Sequence, residues 1–124
     1  MSATRYPSLA AMVRESADRL EAQGAYAFDE IRRGGCRNRV MVDGKECRCA
    51  VAILWDDDLD SAYMKTDMLL SSRHFAGLLA PGDVNVALGF IRGFHDIGAN
   101  TGCPLVDTVA KIRAYARELD EVAS

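Results

Sequence analysis

The chain holds 3 prolines, 1 tryptophan and 2 histidines in 124 residues, and its longest apolar run, Cys49 to Trp55, is far short of the roughly 18 residues that cross a bilayer. Scarce proline, beside 10 glycines, excludes collagen-like and proline-rich low-complexity chains. Charge of one sign is missing too. Fifteen basic against eighteen acidic side chains give −3, which fits neither a generic nucleic-acid binder nor a strongly acidic DNA mimic. Met1 to Tyr6 lacks the basic, then apolar, then small layout of a signal peptide, so a soluble, cytoplasmic protein without membrane attachment is expected.

What is present suits one compact unit. With 49% apolar and 27% charged residues, 1–124 reads as a single domain able to bury roughly two-thirds of its unfolded surface. The four cysteines, Cys36, Cys47, Cys49 and Cys103, are expected to be reduced thiols in such a compartment. Cys47 and Cys49 make poor partners for each other, since side chains two apart on a strand leave the same face in parallel.

Periodicity points to helices. Ser8 is a good N-cap for a stripe of Leu9, Met12, Val13, Ala17 and Leu20 that Gly24 ends, with Arg14, Glu15, Asp18, Arg19 and Glu21 on the opposite face. Residues 25–39 read as a loop, broken by Arg32-Arg33-Gly34-Gly35. A small hairpin near 39–48 follows from Val40-Met41-Val42, the turn pair Asp43-Gly44, and Lys45-Glu46-Cys47. The run from Cys49 to Trp55 fits a buried strand or a buried helix. Alanines at 50 and 52 favour a helix starting near Cys49.

Beyond the aspartates at 56, 57, 58 and 60, Ala62 to Leu70 carries a weak helical pattern. Pro81-Gly82-Asp83 breaks and caps the chain ahead of Val84, Ala87, Leu88, Ile91 and Phe94, a helix expected to be well buried, with His95 in its last turn and Gly98 as its stop. Cys103-Pro104 opens a last helix with Leu105, Val109, Ile112, Ala116 and Leu119 on one side. Its heptad-like spacing suits self-association and packing into its own core equally. The fold expected is mainly α, a compact helical domain of four to five helices with one small β-hairpin.

Three constellations carry chemistry. Cys49, beside Arg48 and at a helix start, has the surroundings of a lowered thiol pKa, and with His95 as base and Asn100 as orienting group it supplies the residue types of a thiol hydrolase or transferase. Asp96 is less suited to orient the ring, because neighbouring helix side chains diverge by about 100°. Against this stands Cys49 as a small buried hydrophobe and His95 as a helix-end cap. Cys36, Cys47, Cys49 and either Cys103 or a histidine have the number and softness of a zinc set, without its usual Cys-x2-Cys spacing. The aspartates at 56 to 60 lack the glycine and terminal glutamate of a calcium loop.

The third constellation is electrostatic. Residues 32–48 hold six basic side chains, Arg32, Arg33, Arg37, Arg39, Lys45 and Arg48, against two acidic ones, whereas 56–67 hold five aspartates against Lys65. With Tyr26 and Phe28 nearby, the basic segment has the residue types that dominate protein contacts. It is also compatible with a phosphate backbone, so nucleic acid stands as the second partner class. Gly34-Gly35 alone is no nucleotide fingerprint, and no cofactor is expected.

The order of the pieces resembles a family of small uncharacterised actinobacterial and phage proteins. The resemblance is carried by Leu20-Glu21-Ala22-Gln23-Gly24, Ala25-Tyr26-Ala27-Phe28-Asp29, Cys49-Ala50-Val51-Ala52-Ile53-Leu54 and Phe94-His95-Asp96, and it spans most of the chain. Ala52 stands where that family has a glycine, and Phe94-His95 replace its Trp-Asn. The family lends no activity; its phage members imply an accessory or host-modulating role. Together these readings give a non-enzymatic protein-interaction module, one that inhibits a host defence protein, with Arg32, Arg33, Arg37, Arg39, Tyr26 and Phe28 as its partner-binding residues.

Overall fold

The computed structural model describes residues 6–29, 35–36, 39–56 and 68–123. Among them are four helices, α1 (Leu9–Gln23), α2 (Met68–Ala76), α3 (Pro81–Thr101) and α4 (Leu105–Ala123), and two short antiparallel ladders. The fold is mainly helical with one small hairpin, as the periodicity predicts. No helix among the described residues is long and apolar enough to cross a membrane.

Local chemistry sets the helix ends. The Ser8 hydroxyl accepts the Ala11 N–H at 3.1 Å, and Gly24, at φ 78°, closes α1 in the left-handed conformation that only glycine adopts without strain. Buried Met12, Val13, Ser16, Ala17 and Leu20 turn inward. On the outside, Arg14 pairs with Asp120, and Arg113 with Asp18 and Glu21, which fixes α1 and α4 antiparallel. These exposed pairs orient more than they stabilise. The stripe on α4 is used up internally: Val109, Ile112 and Ala116 are buried in the core, with Leu105 and Leu119 packed against it.

The hairpin pairs β3 (Arg39–Val42) with β4 (Lys45–Arg48) in the register Val40 to Cys47 and Met41 to Glu46. Asp43 and Gly44, at φ 51° and 79°, supply the two positive angles its tight turn requires. Preceding it, β1 (Phe28–Asp29) pairs with β2 (Gly35–Cys36), so the segment expected to be a loop contains a two-residue ladder.

The apolar run from Cys49 is neither strand nor α-helix. One α-type bond, from the Ile53 N–H to the Cys49 carbonyl, gives way to tighter bonds from Leu54 to Val51 and Trp55 to Ala52, and Ala52–Leu54 forms a single 3-10 turn. The cause is tertiary. Arg19 donates to the Ile53 carbonyl and Arg48 to the Trp55 carbonyl, which takes both acceptors out of any continuing helix. Ser16 likewise donates to the Ala50 carbonyl at 2.8 Å, tying the turn to α1. All of Ala50 to Trp55 is buried, so the expectation of a core segment holds while its helical form does not.

Helix α3 begins at Pro81 and runs to Thr101, one turn beyond the stop predicted at Gly98. Gly102, at φ 72°, is its left-handed cap. His95 therefore lies inside the helix rather than in its last turn. Of the weak pattern over Ala62 to Leu70, only Met68 onward falls within the described residues, as the start of α2.

Candidate functional site

Two regions gather the residues singled out in the sequence. The first is a buried polar knot where α3 meets α4. Tyr26 donates its hydroxyl to the Cys103 carbonyl at 2.6 Å and shares a bond with the Thr108 hydroxyl at 2.8 Å. Its ring meets His95 edge-on, with centroids 5.3 Å apart. His95 is fully buried, and its Nε2 accepts the Ala27 N–H at 3.1 Å, so the proton sits on Nδ1, which faces Asp96 Oδ1 at 2.9 Å. Asp96 thus does orient the ring of its neighbour. The bond forms despite the 100° divergence of the two Cβ directions, with the opposite ring nitrogen, Nε2, fixed by the Ala27 amide.

Gly98 is essential to this knot rather than to the end of the helix. A Cβ placed there would collide with the Thr108 hydroxyl and lie 2.8 Å from the Tyr26 hydroxyl oxygen. Gly98 is what lets Tyr26 and Thr108 approach α3 closely enough to bond each other. Sequence reasoning had no signal for this, since an interior helix glycine and a terminal one look alike.

The thiols are placed separately. Cys49 is 2% exposed, its sulfur accepting the Ala52 N–H at 3.4 Å, and burial pushes its pKa up. The lowered pKa expected of a helix start is reversed, because no α-helix begins at this residue and desolvation outweighs its bonds to backbone N–H groups. The neighbouring strand residue Cys47 is buried too, and its pKa is raised chiefly by desolvation. Asn100 is exposed, donating to the Asp96 carbonyl at 2.8 Å. Both nitrogens of His95 are engaged, so the imidazole offers no lone pair to a thiol in this arrangement.

Cys103 is partly exposed, with the Thr108 hydroxyl within reach of its sulfur at 3.9 Å. Among the described residues no three His, Cys, Asp or Glu side chains converge as a metal site. The side chain of Cys36, the fourth member of the candidate zinc set, lies outside the described residues.

The second region is an open cleft of about 780 Å³ beside the hairpin. Tyr26 and Phe28 form one wall, Val40, Met41 and Val42 another, and Cys103, Pro104 and Leu105, at the turn between α3 and α4, the third. Met41 is 63% exposed. The hairpin is held over the cleft by Gln23, whose side-chain amide donates to the Arg48 carbonyl at 2.9 Å and accepts the Arg48 N–H at 2.8 Å. This bidentate clamp mimics a strand partner and pins β4 to the end of α1. Nothing in the local pattern distinguishes Gln23 from any other polar helix residue.

Of the partner-binding set, Tyr26 and Phe28 therefore share the cleft, and Arg39 stands exposed at the start of β3. Arg32, Arg33 and Arg37 lie outside the described residues. Comparison of the chain with protein-family models, with curated proteins and with solved structures returned no match.

Proposed function

We propose that this chain is a protein-interaction module whose docking site is the cleft between the hairpin and the α3–α4 turn. The observation that carries the reading is the exposure of apolar side chains there, with Met41 the most open, on walls that Gln23 and Tyr26 hold rigidly from behind. Aromatic side chains are enriched at the energetic centres of contact surfaces, and Tyr26 and Phe28 line this cleft. The occupant that fits is an extended acidic segment of a protein partner. Apolar side chains of the partner fill the cleft, and its carboxylates meet the basic stretch to which the exposed Arg39 and Lys45 belong; Arg32, Arg33 and Arg37 belong to the same stretch of sequence and lie outside the described residues. In the setting that the phage resemblance implies, the partner is a host defence protein inhibited by occupancy of one of its own surfaces.

Selection of binders from a random peptide library tests this reading. Enriched sequences are expected to combine an apolar anchor with acidic flanks, and Met41→Glu, or joint replacement of Arg32, Arg33 and Arg37 by Glu, is expected to weaken them at least tenfold while leaving the circular dichroism spectrum unchanged. No enrichment, or binders indifferent to both variants, overturns the proposal. Duplex DNA that competes with the peptides at moderate salt would move the reading to nucleic acid. Iodoacetamide labelling, mapped residue by residue, addresses the thiol-enzyme alternative. Slower labelling at Cys49 than at Cys103 is expected, and a Cys49 that labels faster at neutral pH than an unfolded cysteine would replace the interaction reading with an enzymatic one.

A further inference from the structure

The two edges of the hairpin are finished differently. On the β4 side, the Arg48 N–H and carbonyl are both bonded to the Gln23 side chain. Both groups therefore point away from β3, which makes Arg39 with Arg48 a pair that exchanges no ladder bonds. Alternation sets the rest. Val40 with Cys47 and Val42 with Lys45 are the hydrogen-bonded pairs, and Met41 with Glu46 is not one. The turn gives the same parity independently, because Val42 and Lys45 flank its two residues of positive φ and such flanking residues bond each other.

The Met41 N–H and carbonyl are thus turned outward, along the edge of β3 that β4 does not use. Among the described residues β4 is the only ladder partner of β3. The cleft lies along that same edge. Val40, Met41, Val42 and Asp43 all line it, although successive strand side chains leave opposite faces, and none of Lys45, Glu46, Cys47 and Arg48 does. A hollow over one face of the hairpin would instead collect alternate residues from both strands. An outward amide and carbonyl on a strand without proline or bulge are a template for one more strand.

We infer that the partner segment docks by adding a strand to β3, its backbone exchanging hydrogen bonds with the Met41 N–H and carbonyl. The inference rests on the docking reading above and gives the occupant its conformation. Gln23 does on the β4 edge, with a side-chain amide, what the partner's main chain does on the β3 edge. Burial alternates along β3, with Val40 and Val42 half-buried and Arg39 and Met41 exposed. A strand laid beside it carries apolar side chains next to the valines and acidic ones at alternate positions, across from Arg39. Charge favours such a segment over a second copy of β3, since residues 32–48 hold six basic side chains against two acidic ones and repel their like.

The peptide most enriched in the library selection is the probe, used with the full chain. By NMR, the Met41 amide of the free protein is expected to exchange rapidly with deuterium, and saturation with the peptide to slow it about tenfold or more. Single N-methylation along the peptide keeps every side chain. It is expected to weaken binding about tenfold at residues of one parity and less than about twofold at the others. Met41→Pro removes the outward N–H without taking a ladder bond, and is expected to bind about tenfold more weakly than Met41→Ala. Should the proline variant fail to fold, the exchange and methylation results decide. Peptides that bind and are weakened by Met41→Glu, yet show no parity on methylation or leave Met41 exchange unchanged, overturn strand addition while the docking reading stands. No enriched peptide overturns both. A Met41 amide that slows with protein concentration alone assigns the edge to a second copy and overturns the inference.

Discussion

The polar knot under α3 and the rim of the hairpin cleft share Tyr26, yet the two are built on opposite principles. In the knot every side chain is committed. His95 uses both ring nitrogens, the Tyr26 hydroxyl meets two partners, and Gly98 leaves no room for a Cβ. At the rim, Met41 is open to solvent on β3, whose partner strand β4 is held by Gln23. Imidazole and the Cys49 thiol, the groups richest in chemistry, are spent on holding the structure. The rim, by contrast, exposes an apolar side chain, and the proposed docking site draws on that exposure.

The contrast is broken most severely at Gly98. Gly98→Val drives two methyl groups into the Thr108 and Tyr26 hydroxyls and is expected to destabilise the domain by about 3 kcal/mol, lowering Tm by roughly 10 °C or more in a thermal melt. The sharper form of the test compares alanine at two glycines of one helix. Gly93→Ala is expected to stabilise by about 0.5–1 kcal/mol through helix propensity, whereas Gly98→Ala is expected to destabilise. Two stabilising values would mean that the knot can loosen around a Cβ.

Next in size is His95→Ala, which leaves the buried Ala27 N–H without an acceptor and opens a cavity beside Tyr26. About 2–4 kcal/mol is expected by urea unfolding. If His95 were only filler, His95→Leu would be nearly neutral, but the orphaned amide predicts that it too is destabilising, by about 1–3 kcal/mol. Tyr26→Phe is smaller again. It removes one hydroxyl, leaves the ring against His95, and is expected to destabilise by about 1–2 kcal/mol, since the Cys103 carbonyl and the Thr108 hydroxyl lose a shared partner.

Helix positions and the hairpin were legible because they depend on near neighbours. Ser8 and Gly24 act within one turn of α1, and Asp43-Gly44 is a local solution to a local requirement. What escaped the sequence depends on partners far along the chain. The turn at Ala52–Leu54 is set by Arg19 and Arg48, which take the carbonyls a helix would need. Gly98 carries the signature of a helix stop, and its true role appears only when Tyr26 and Thr108 arrive from elsewhere. The heptad spacing of α4 serves the core, while α3, read from Val84, Ala87, Leu88, Ile91 and Phe94 alone, also carries the exposed Val86, Phe90 and Ile97, with the Phe90 ring 5.1 Å from Tyr115. Of the site, Tyr26 and Phe28 were found through residue type, and Met41 was seen only as a strand residue.

The smallest stability effect is expected at the rim, and its smallness is informative. Met41 faces solvent on a strand of four residues opposite Glu46, so Met41→Glu buries no charge and leaves no cavity. It does place like charges across the pair, and β-propensity falls slightly. The net change is expected to stay within about 0.5 kcal/mol by urea unfolding, against several times that for any residue of the knot. A Met41→Glu variant that lost as much stability as Tyr26→Phe would show that the methionine closes the core from above. The division between a committed interior and a free rim would then fail at the residue on which the docking surface most depends.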